Sequence, residues 1–153
     1  MSWQSKLENR PEPTITESIE IDATPEAIWA VLTDFDKFPD WCSSFQGVEG
    51  EGAAGKRSTA FFKNPLTGKN MAFEHEVVVF EENCAMGWTG KAFLGRDDFH
   101  VYSIEPLANG KSKFIQEDGL YGKPRNFMVT LTEMTIRRAY KQFNKELKAR
   151  VEG

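Results

Sequence analysis

The chain has 153 residues, of which 40% are hydrophobic and 12% aromatic, as expected of one folded domain with its own core. Its formal net charge of −4 is not that of a strongly basic protein and argues against a nucleic-acid partner. No run of about 18 apolar residues occurs, so no membrane span is predicted, and we expect a cytoplasmic protein.

The first thirteen residues differ in character from the rest of the chain. They are polar, carry scattered charges and end in Pro11 and Pro13, so we predict an irregular leader over 1–13. A single domain over 14–153 follows, because no repeat, low-complexity tract or linker divides it. Within this domain, the β-branched residues of 14–21 predict the first strand.

Two short helical segments are predicted after the first strand. Thr24 can cap a helix, and Pro25 then occupies the first helical position, where no amide hydrogen is needed. Apolar residues at helical spacing continue this pattern to Phe35. Because Pro39 disfavours helix at the residue before it, 36–41 is predicted to be a second short helix or a turn.

From residue 45 onward the apolar residues alternate with polar ones, which is the period of a strand. Short turns separate the runs, among them 64–68 and Asn109–Gly110, the latter a strong hairpin signal. The six runs, which predict an antiparallel meander, are 45–50, 56–63, 71–80, 84–90, 97–106 and 111–120.

A long helix is predicted at the C-terminus, from about residue 126 to residue 150. Ile136, Tyr140 and Phe143 belong to one apolar face, whereas Phe127 falls on another. The complete order is one strand, two short helices, six strands and one long helix. It predicts an α+β fold in which a curved antiparallel sheet of seven strands wraps around the C-terminal helix. This arrangement predicts a wedge-shaped space between the sheet and the helix, in which a ligand could bind.

Three groups of residues carry a resemblance to a known family. They are Trp29, Thr33–Phe35, Phe38–Pro39 and Trp41; then Trp88, Gly90, His100, Tyr102 and Ile104–Pro106; and finally Phe114–Gly122. With these residues the chain resembles the START-like helix-grip (SRPBCC) superfamily, and within it the bacterial polyketide cyclase/dehydrase and lipid-transport-like branch. The resemblance covers nearly the whole chain. It implies the helix-grip fold and a cavity used for many different tasks.

Large rings are the first group of candidate ligand-binding residues. Taken alone, each ring fits a core position, but as a set the rings suit an apolar pocket between a curved sheet and one helix. The aromatic residues expected to contact a ligand are Phe35, Trp41, Phe61, Phe73, Trp88, Tyr102, Phe114 and Phe127.

Polar residues on the inward faces of strands are the second group. His100 lies on a face that the resemblance places inward, where it is either a polar group of the pocket or a hydrogen-bonded core histidine. Gln116 and Asp118 share one face of the last strand and would orient a ligand. A buried Asp118 needs a partner such as Arg137, Arg138 or His100; the alternative places it at the sheet rim in water.

His75 also belongs to this group, on the apolar face of its strand. It is interpreted either as hydrogen-bonded to a neighbour or as a ligand contact. Candidate catalytic residues are limited to His100, Asp118 and Tyr102. No nucleophile elbow, zinc motif, phosphate loop or dinucleotide fingerprint occurs, and Cys42 and Cys84 are isolated. We therefore predict no cofactor and no metal.

Three function hypotheses follow. The first is a monomer or homodimer that binds a small hydrophobic or amphipathic molecule, lipid- or polyketide-like, between sheet and helix. The second is an enzyme of the polyketide cyclase, aromatase or dehydratase type that uses the same cavity, with His100, Asp118 and Tyr102 moving protons. The third is a chaperone-activator-like interaction module, which needs an exposed apolar patch that the sequence does not clearly mark.

Overall fold

A computed structural model describes residues 2–64 and 67–153 and shows an antiparallel sheet curved around one long helix. The predicted α+β helix-grip architecture is confirmed. The strands are β1 (Ile15–Ile21), β2 (Phe45–Gly50), β3 (Arg57–Lys63), β4 (Asn70–Glu81), β5 (Ala85–Lys91), β6 (Asp97–Pro106), β7 (Ser112–Asp118) and β8 (Leu120–Tyr121). Their order across the sheet is β1-β7-β6-β5-β4-β3-β2, and β8 pairs with β6. Of the predicted turn at 64–68, Pro65 and Leu66 lie outside the described residues.

The two short helices after β1 form as predicted. Helix α1 spans Pro25–Thr33, and the hydroxyl of Thr24 accepts a hydrogen bond from the amide of Ala27 at 3.4 Å. A 3-10 helix at Phe35–Lys37 leads into α2, Phe38–Trp41, which holds its proline in the first turn. Together they close one end of the core between the sheet and the C-terminal helix.

Helix α3 (Phe127–Glu152) packs its apolar face on the concave side of the sheet and leaves apolar residues exposed at its start. The amide oxygen of Asn126 caps it by accepting a hydrogen bond from the Val129 amide at 3.1 Å. The exposed residues of its first turns are Phe127, Met128, Leu131 and Met134. This corrects the expectation that no clear apolar patch would be exposed. Within the described residues, no helix is both long and apolar enough to cross a membrane.

The predicted strand at 111–120 is divided in two. Glu117 pairs with Val101, and Leu120 pairs with Asp98, so β8 keeps the register of β7 and no residue is inserted. Between the two strands, the amide of Gly119 donates to the carboxylate of the preceding aspartate at 2.7 Å. A side chain has therefore replaced a ladder partner at this point, which explains the interruption.

The convex face of the sheet is partly covered by the N-terminal residues. A 3-10 helix, Trp3–Leu7, forms where the sequence predicted an irregular leader. Leu7 is buried against Val79 of β4 and Val101 of β6, the strands on either side of β5. Burial of this apolar surface holds the segment on the sheet.

The β5–β6 hairpin turn contains a leucine in a strained conformation. Leu94 (φ 60°, ψ 22°) and Gly95 (φ 63°) are the central residues of a two-residue turn that favours Asn-Gly. The β6–β7 hairpin has the same geometry with the preferred pair, Asn109 (φ 62°) and Gly110 (φ 75°). Leu94 is also 46% exposed, so it contributes little to the core.

We expect Leu94→Asn to raise the free energy of unfolding by about 1 kcal/mol. Left-handed backbone conformation disfavours leucine and is tolerated by asparagine, whose side chain bonds locally. Urea unfolding of both proteins measures the difference. The matched variant, Asn109→Leu, should lower stability by a similar amount. A loss of stability in Leu94→Asn would contradict the assignment of strain to this turn.

Candidate functional site

A cavity of about 190 Å³ lies between the concave face of the sheet and α3. One water needs only about 10–15 Å³ by the same measure, so the space suits a small organic molecule. The apolar lining consists of Phe45, Phe62, Met71, Phe73, Trp88, Ala92, Phe93, Tyr102, Leu120, Ile136, Ala139 and Phe143. The polar lining consists of Ser44, Lys63, His75, Asp98, His100, Asp118, Thr132, Thr135 and Tyr140. A smaller cavity of about 30 Å³ shares part of this wall and reaches Phe35.

The structure brings together about half of the residues that the sequence proposed for ligand contact. The large cavity is lined by Phe73, Trp88, His100, Tyr102 and Asp118. Trp88 is central, because its ring lies 4.8 Å from that of His100 and 5.0 Å from that of Tyr102. Phe35 borders only the smaller cavity.

Phe61 does not line the cavity, and its neighbour Phe62 does. The two residues point to opposite faces of β3, because successive side chains of a strand alternate. Phe62 lies 5.0 Å from Phe45 and 5.8 Å from Phe73, ring centre to ring centre. The inward position in this strand is therefore one residue later than the sequence interpretation placed it.

Three other proposed aromatic residues also lie away from the cavity. Trp41 packs against Phe143 at 5.5 Å, beside the short helices. Phe114 is fully buried beneath Tyr102, at 5.3 Å. Phe127 is 76% exposed at the start of α3. The first two rings pack against residues that line the cavity, and the third faces solvent.

Gln116 is a core residue that determines which ring nitrogen of His100 carries the proton. Its amide nitrogen donates to Asn144 Oδ1 at 2.6 Å and to the backbone carbonyl of Tyr140 at 3.4 Å, so its oxygen must be the acceptor. That oxygen accepts from Nε2 of His100 at 3.1 Å. Burial lowers the pKa of His100 to about 3, so the ring is neutral. Its proton is therefore on Nε2, and Nδ1 is an acceptor.

Two acceptors beside this ring compete for one hydroxyl hydrogen, that of Tyr140. The Tyr140 hydroxyl lies 3.3 Å from His100 Nδ1 and is also hydrogen-bonded to Asp118 Oδ2. While Asp118 is ionised, the single hydrogen of Tyr140 satisfies only one of these acceptors. A proton on Asp118 resolves the conflict, because Asp118 then donates to Tyr140 and Tyr140 donates to His100.

The electrostatics of Asp118 agree with this hydrogen count. Burial raises the pKa of Asp118 from 3.8 to about 7, and the negative charge of Asp98 adds to the effect. Hydrogen bonds from Tyr140 and from the amides of Gly119 and Phe99 act in the opposite direction. The Asp118–Tyr140–His100 chain can therefore hold or release one proton near neutral pH.

A second polar pair occupies the same cavity wall. His75 Nε2 donates to Asp98 Oδ2 at 3.1 Å, and both side chains are buried. His75 on β4 and Asp98 on β6 both pair in register with Gly90 of β5, so their bond passes over a position without a side chain. A Cβ at Gly90 would lie 2.4 Å from the carbonyl oxygen of Glu74 and 3.0 Å from the His75 ring.

Sequence reasoning missed Tyr140 and Asp98 as site residues. The periodicity of the sequence assigns Tyr140 only to an apolar helix face, although a hydroxyl on such a face needs a partner. Asp98 follows Asp97, and strand alternation requires one of the two to point inward, which is the signal that could have identified it. In the part of the chain that the structure describes, no cluster of three or more His, Cys, Asp or Glu is arranged to hold a metal ion.

The chain is similar to one known protein family over nearly its whole length. The family model described as "Polyketide cyclase / dehydrase and lipid transport" matches residues 12–152. A comparison with curated proteins finds no match.

Several solved structures share the fold. A protein of unknown function from Staphylococcus aureus is 14% identical, with 90% of this chain and 93% of that chain covered and a TM-score of 0.65. A START superfamily protein from Mycobacterium smegmatis is 21% identical, with 90% and 96% covered and a TM-score of 0.60. BexL, the di-domain ARO/CYC of the BE-7585A biosynthetic pathway, is 10% identical, with 90% and 45% covered and a TM-score of 0.72. At these identities the likeness concerns the fold alone.

Proposed function

Because the chain belongs to the polyketide cyclase/dehydrase and lipid transport family, we propose that it binds a small hydrophobic or amphipathic molecule of lipid- or polyketide-like character. The observation that carries this proposal is the cavity of about 190 Å³ between the sheet and α3. A mostly aromatic lining with a few convergent polar groups is the usual composition of a small-molecule site. The rings would supply apolar contact area, and the polar wall would orient the ligand.

A second candidate function is catalysis in the same cavity. It is favoured by Asp118, whose pKa is raised to about 7 by burial and which is linked through Tyr140 to His100. A carboxyl group that exchanges a proton near neutral pH suits general acid–base catalysis of a cyclase, aromatase or dehydratase type. Tyr102 lines the cavity nearby, but burial raises its pKa well above 10, which makes it a hydrogen-bond donor in this scheme.

The remaining parts of the proposal concern partners and location. We propose a monomer or homodimer whose partner is a small molecule and not a nucleic acid. Cys42 and Cys84 are free, one buried and one exposed, which suits the reducing cytoplasm. The exposed apolar residues at the start of α3 are the feature that an interaction module would use instead.

We expect Ala139→Phe to abolish ligand binding while leaving the fold intact. Ala139 lies on the cavity-facing side of α3, so a phenyl ring there would occupy the ligand space. Isothermal titration calorimetry with 2-naphthol, a small aromatic probe, should show that the affinity falls by about tenfold or more. A loss of this size is expected because the probe can no longer bury its apolar surface in the cavity. Native mass spectrometry of protein from its own host should likewise show a small molecule on the natural chain only.

Ala149→Phe is the matched control, because Ala149 is an exposed residue of the same helix. It should bind the probe as the unaltered chain does. Retention of full affinity in Ala139→Phe would contradict the proposed site. Turnover of a bound polyketide-like ligand that is abolished by Asp118→Asn, with binding retained, would instead favour the enzyme over the carrier.

A further inference from the structure

The His75–Asp98 pair is incompletely hydrogen-bonded although it is buried. Only 3% of the His75 side chain and 10% of the Asp98 side chain are exposed, and both residues line the large cavity. Among the described residues, His75 Nδ1 and Asp98 Oδ1 have no hydrogen-bond partner. Leaving such atoms without a partner costs about 1–3 kcal/mol each, so a group that satisfies them would bind with a clear gain.

The sheet is built to hold this pair in place. Gly90 separates the two residues across β5, and the nearest backbone atom leaves no room for even a Cβ there. Trp88, two residues earlier on the same face, lies 6.2 Å from the His75 ring and covers its side. The pair is therefore fixed by the strands on which it lies, and both residues line the large cavity.

The chemistry of the two unpartnered atoms specifies what they can bind. Asp98 uses Oδ2 to accept from His75, so Oδ1 remains as a carboxylate acceptor. In the tautomer that carries its proton on Nε2, Nδ1 of His75 is also an acceptor. A ligand must bring a hydrogen-bond donor to this wall. At this wall an anionic ligand would instead place its charge beside the carboxyl group of Asp98 in a poorly solvated space.

We propose that His75 and Asp98 form the anchoring site of the cavity and select an apolar molecule that carries a neutral hydroxyl donor, a phenol or an alcohol. This inference rests on the proposed ligand-binding function and narrows its ligand class. Fatty acids and other carboxylates are disfavoured at this wall, because their charge has the wrong sign.

Three probes of similar shape test the selectivity: 2-naphthol, 2-methylnaphthalene and 2-naphthoate, titrated calorimetrically near neutral pH. We expect 2-naphthol to bind about tenfold more tightly than 2-methylnaphthalene, since its hydroxyl bonds to a charged acceptor. The anionic 2-naphthoate should bind most weakly. Equal affinity for all three probes would overturn the anchoring site while leaving the cavity as a ligand site. Failure of every probe to bind would count against both proposals.

Asp98→Asn provides the sharper comparison. The amide oxygen of the new side chain can accept from His75, which places its NH2 group where Asp98 Oδ1 was, so the wall becomes a donor. The preference should then reverse, with 2-acetonaphthone, an acceptor, binding more tightly than 2-naphthol. The control is Asp97→Asn, the preceding residue, which pairs with Lys91 outside the cavity and should keep the original preference. An unchanged preference in Asp98→Asn overturns the proposal.

Discussion

Asp118→Asn is expected to stabilise the protein at neutral and alkaline pH and to remove much of the pH dependence of its stability. The carboxyl group has a native pKa of about 7, compared with 3.8 for an ordinary aspartate. Between these values the native state holds a proton that the unfolded state has lost. Stability therefore falls as the pH rises through this window, by about 1.4 kcal/mol per pH unit and up to about 4 kcal/mol in total.

Asparagine reproduces the protonated side chain, which is why we choose it. Its oxygen can accept from the amide of Gly119, and its NH2 group can donate to Tyr140, whose hydroxyl then donates to His100. Urea unfolding at about pH 5 and about pH 8 measures the effect. The variant should exceed the stability of the unaltered chain by about 2 kcal/mol at the lower pH, which already lies inside this window, and by about 4 kcal/mol at the higher.

Asp97→Asn is the control for this comparison, because its carboxylate is half exposed and pairs with Lys91 at 2.6 Å. Replacing it should change stability by less than about 1 kcal/mol and leave the pH dependence in place. A protein whose stability is flat between about pH 5 and about pH 8 before any substitution would contradict the raised pKa of Asp118 and the shared hydrogen of Tyr140.

The strands and helices were predictable because burial imposes a regular period on the sequence. The observed bounds of β2 and β6 coincide with the predicted 45–50 and 97–106, where polar and apolar residues alternate clearly. The cap and proline at the start of α1 also act locally, so no distant contact is needed to recognise them. The helix-grip order followed from these elements taken together.

The rotation of α3 against the sheet was not predictable in the same way. Periodicity identifies an apolar face that is about a third of a helix wide, but it does not say which residue of that face meets which strand. The sequence suggests Arg137 as a partner for Asp118, but Arg137 donates to Glu17 at 2.7 Å. Tyr140 takes that place, and His100 Nδ1 lies 3.9 Å from the carboxyl group.

Adjacent residues of similar character posed a different problem. Phe61 and Phe62 are identical side chains on opposite faces, and a shift of one residue exchanges them without changing the local pattern. The structure settles the register through the pairing of Phe62 with Met71 on β4. The burial of Asp98 was equally difficult to predict from the sequence, because its partner His75 is 23 residues away in the chain.

Gln116→Leu is expected to lower the free energy of unfolding by about 2–4 kcal/mol near pH 5. Leucine has a similar size but leaves Asn144 Oδ1 without its donor and His100 Nε2 without its acceptor, and each such buried group costs about 1–3 kcal/mol. Unfolding in urea measures the loss. Gln142→Leu, on the exposed side of α3, is the matched control and should be nearly neutral.

The same variant should also weaken the pH dependence attributed to Asp118. Without Gln116 to hold the proton on Nε2, the His100 ring can carry it on Nδ1 and donate to the Tyr140 hydroxyl. Tyr140 is then free to donate to an ionised Asp118, so the pKa of that carboxyl group falls toward its usual value. A loss of stability with unchanged pH dependence would show that Gln116 does not control where the proton of this buried chain lies.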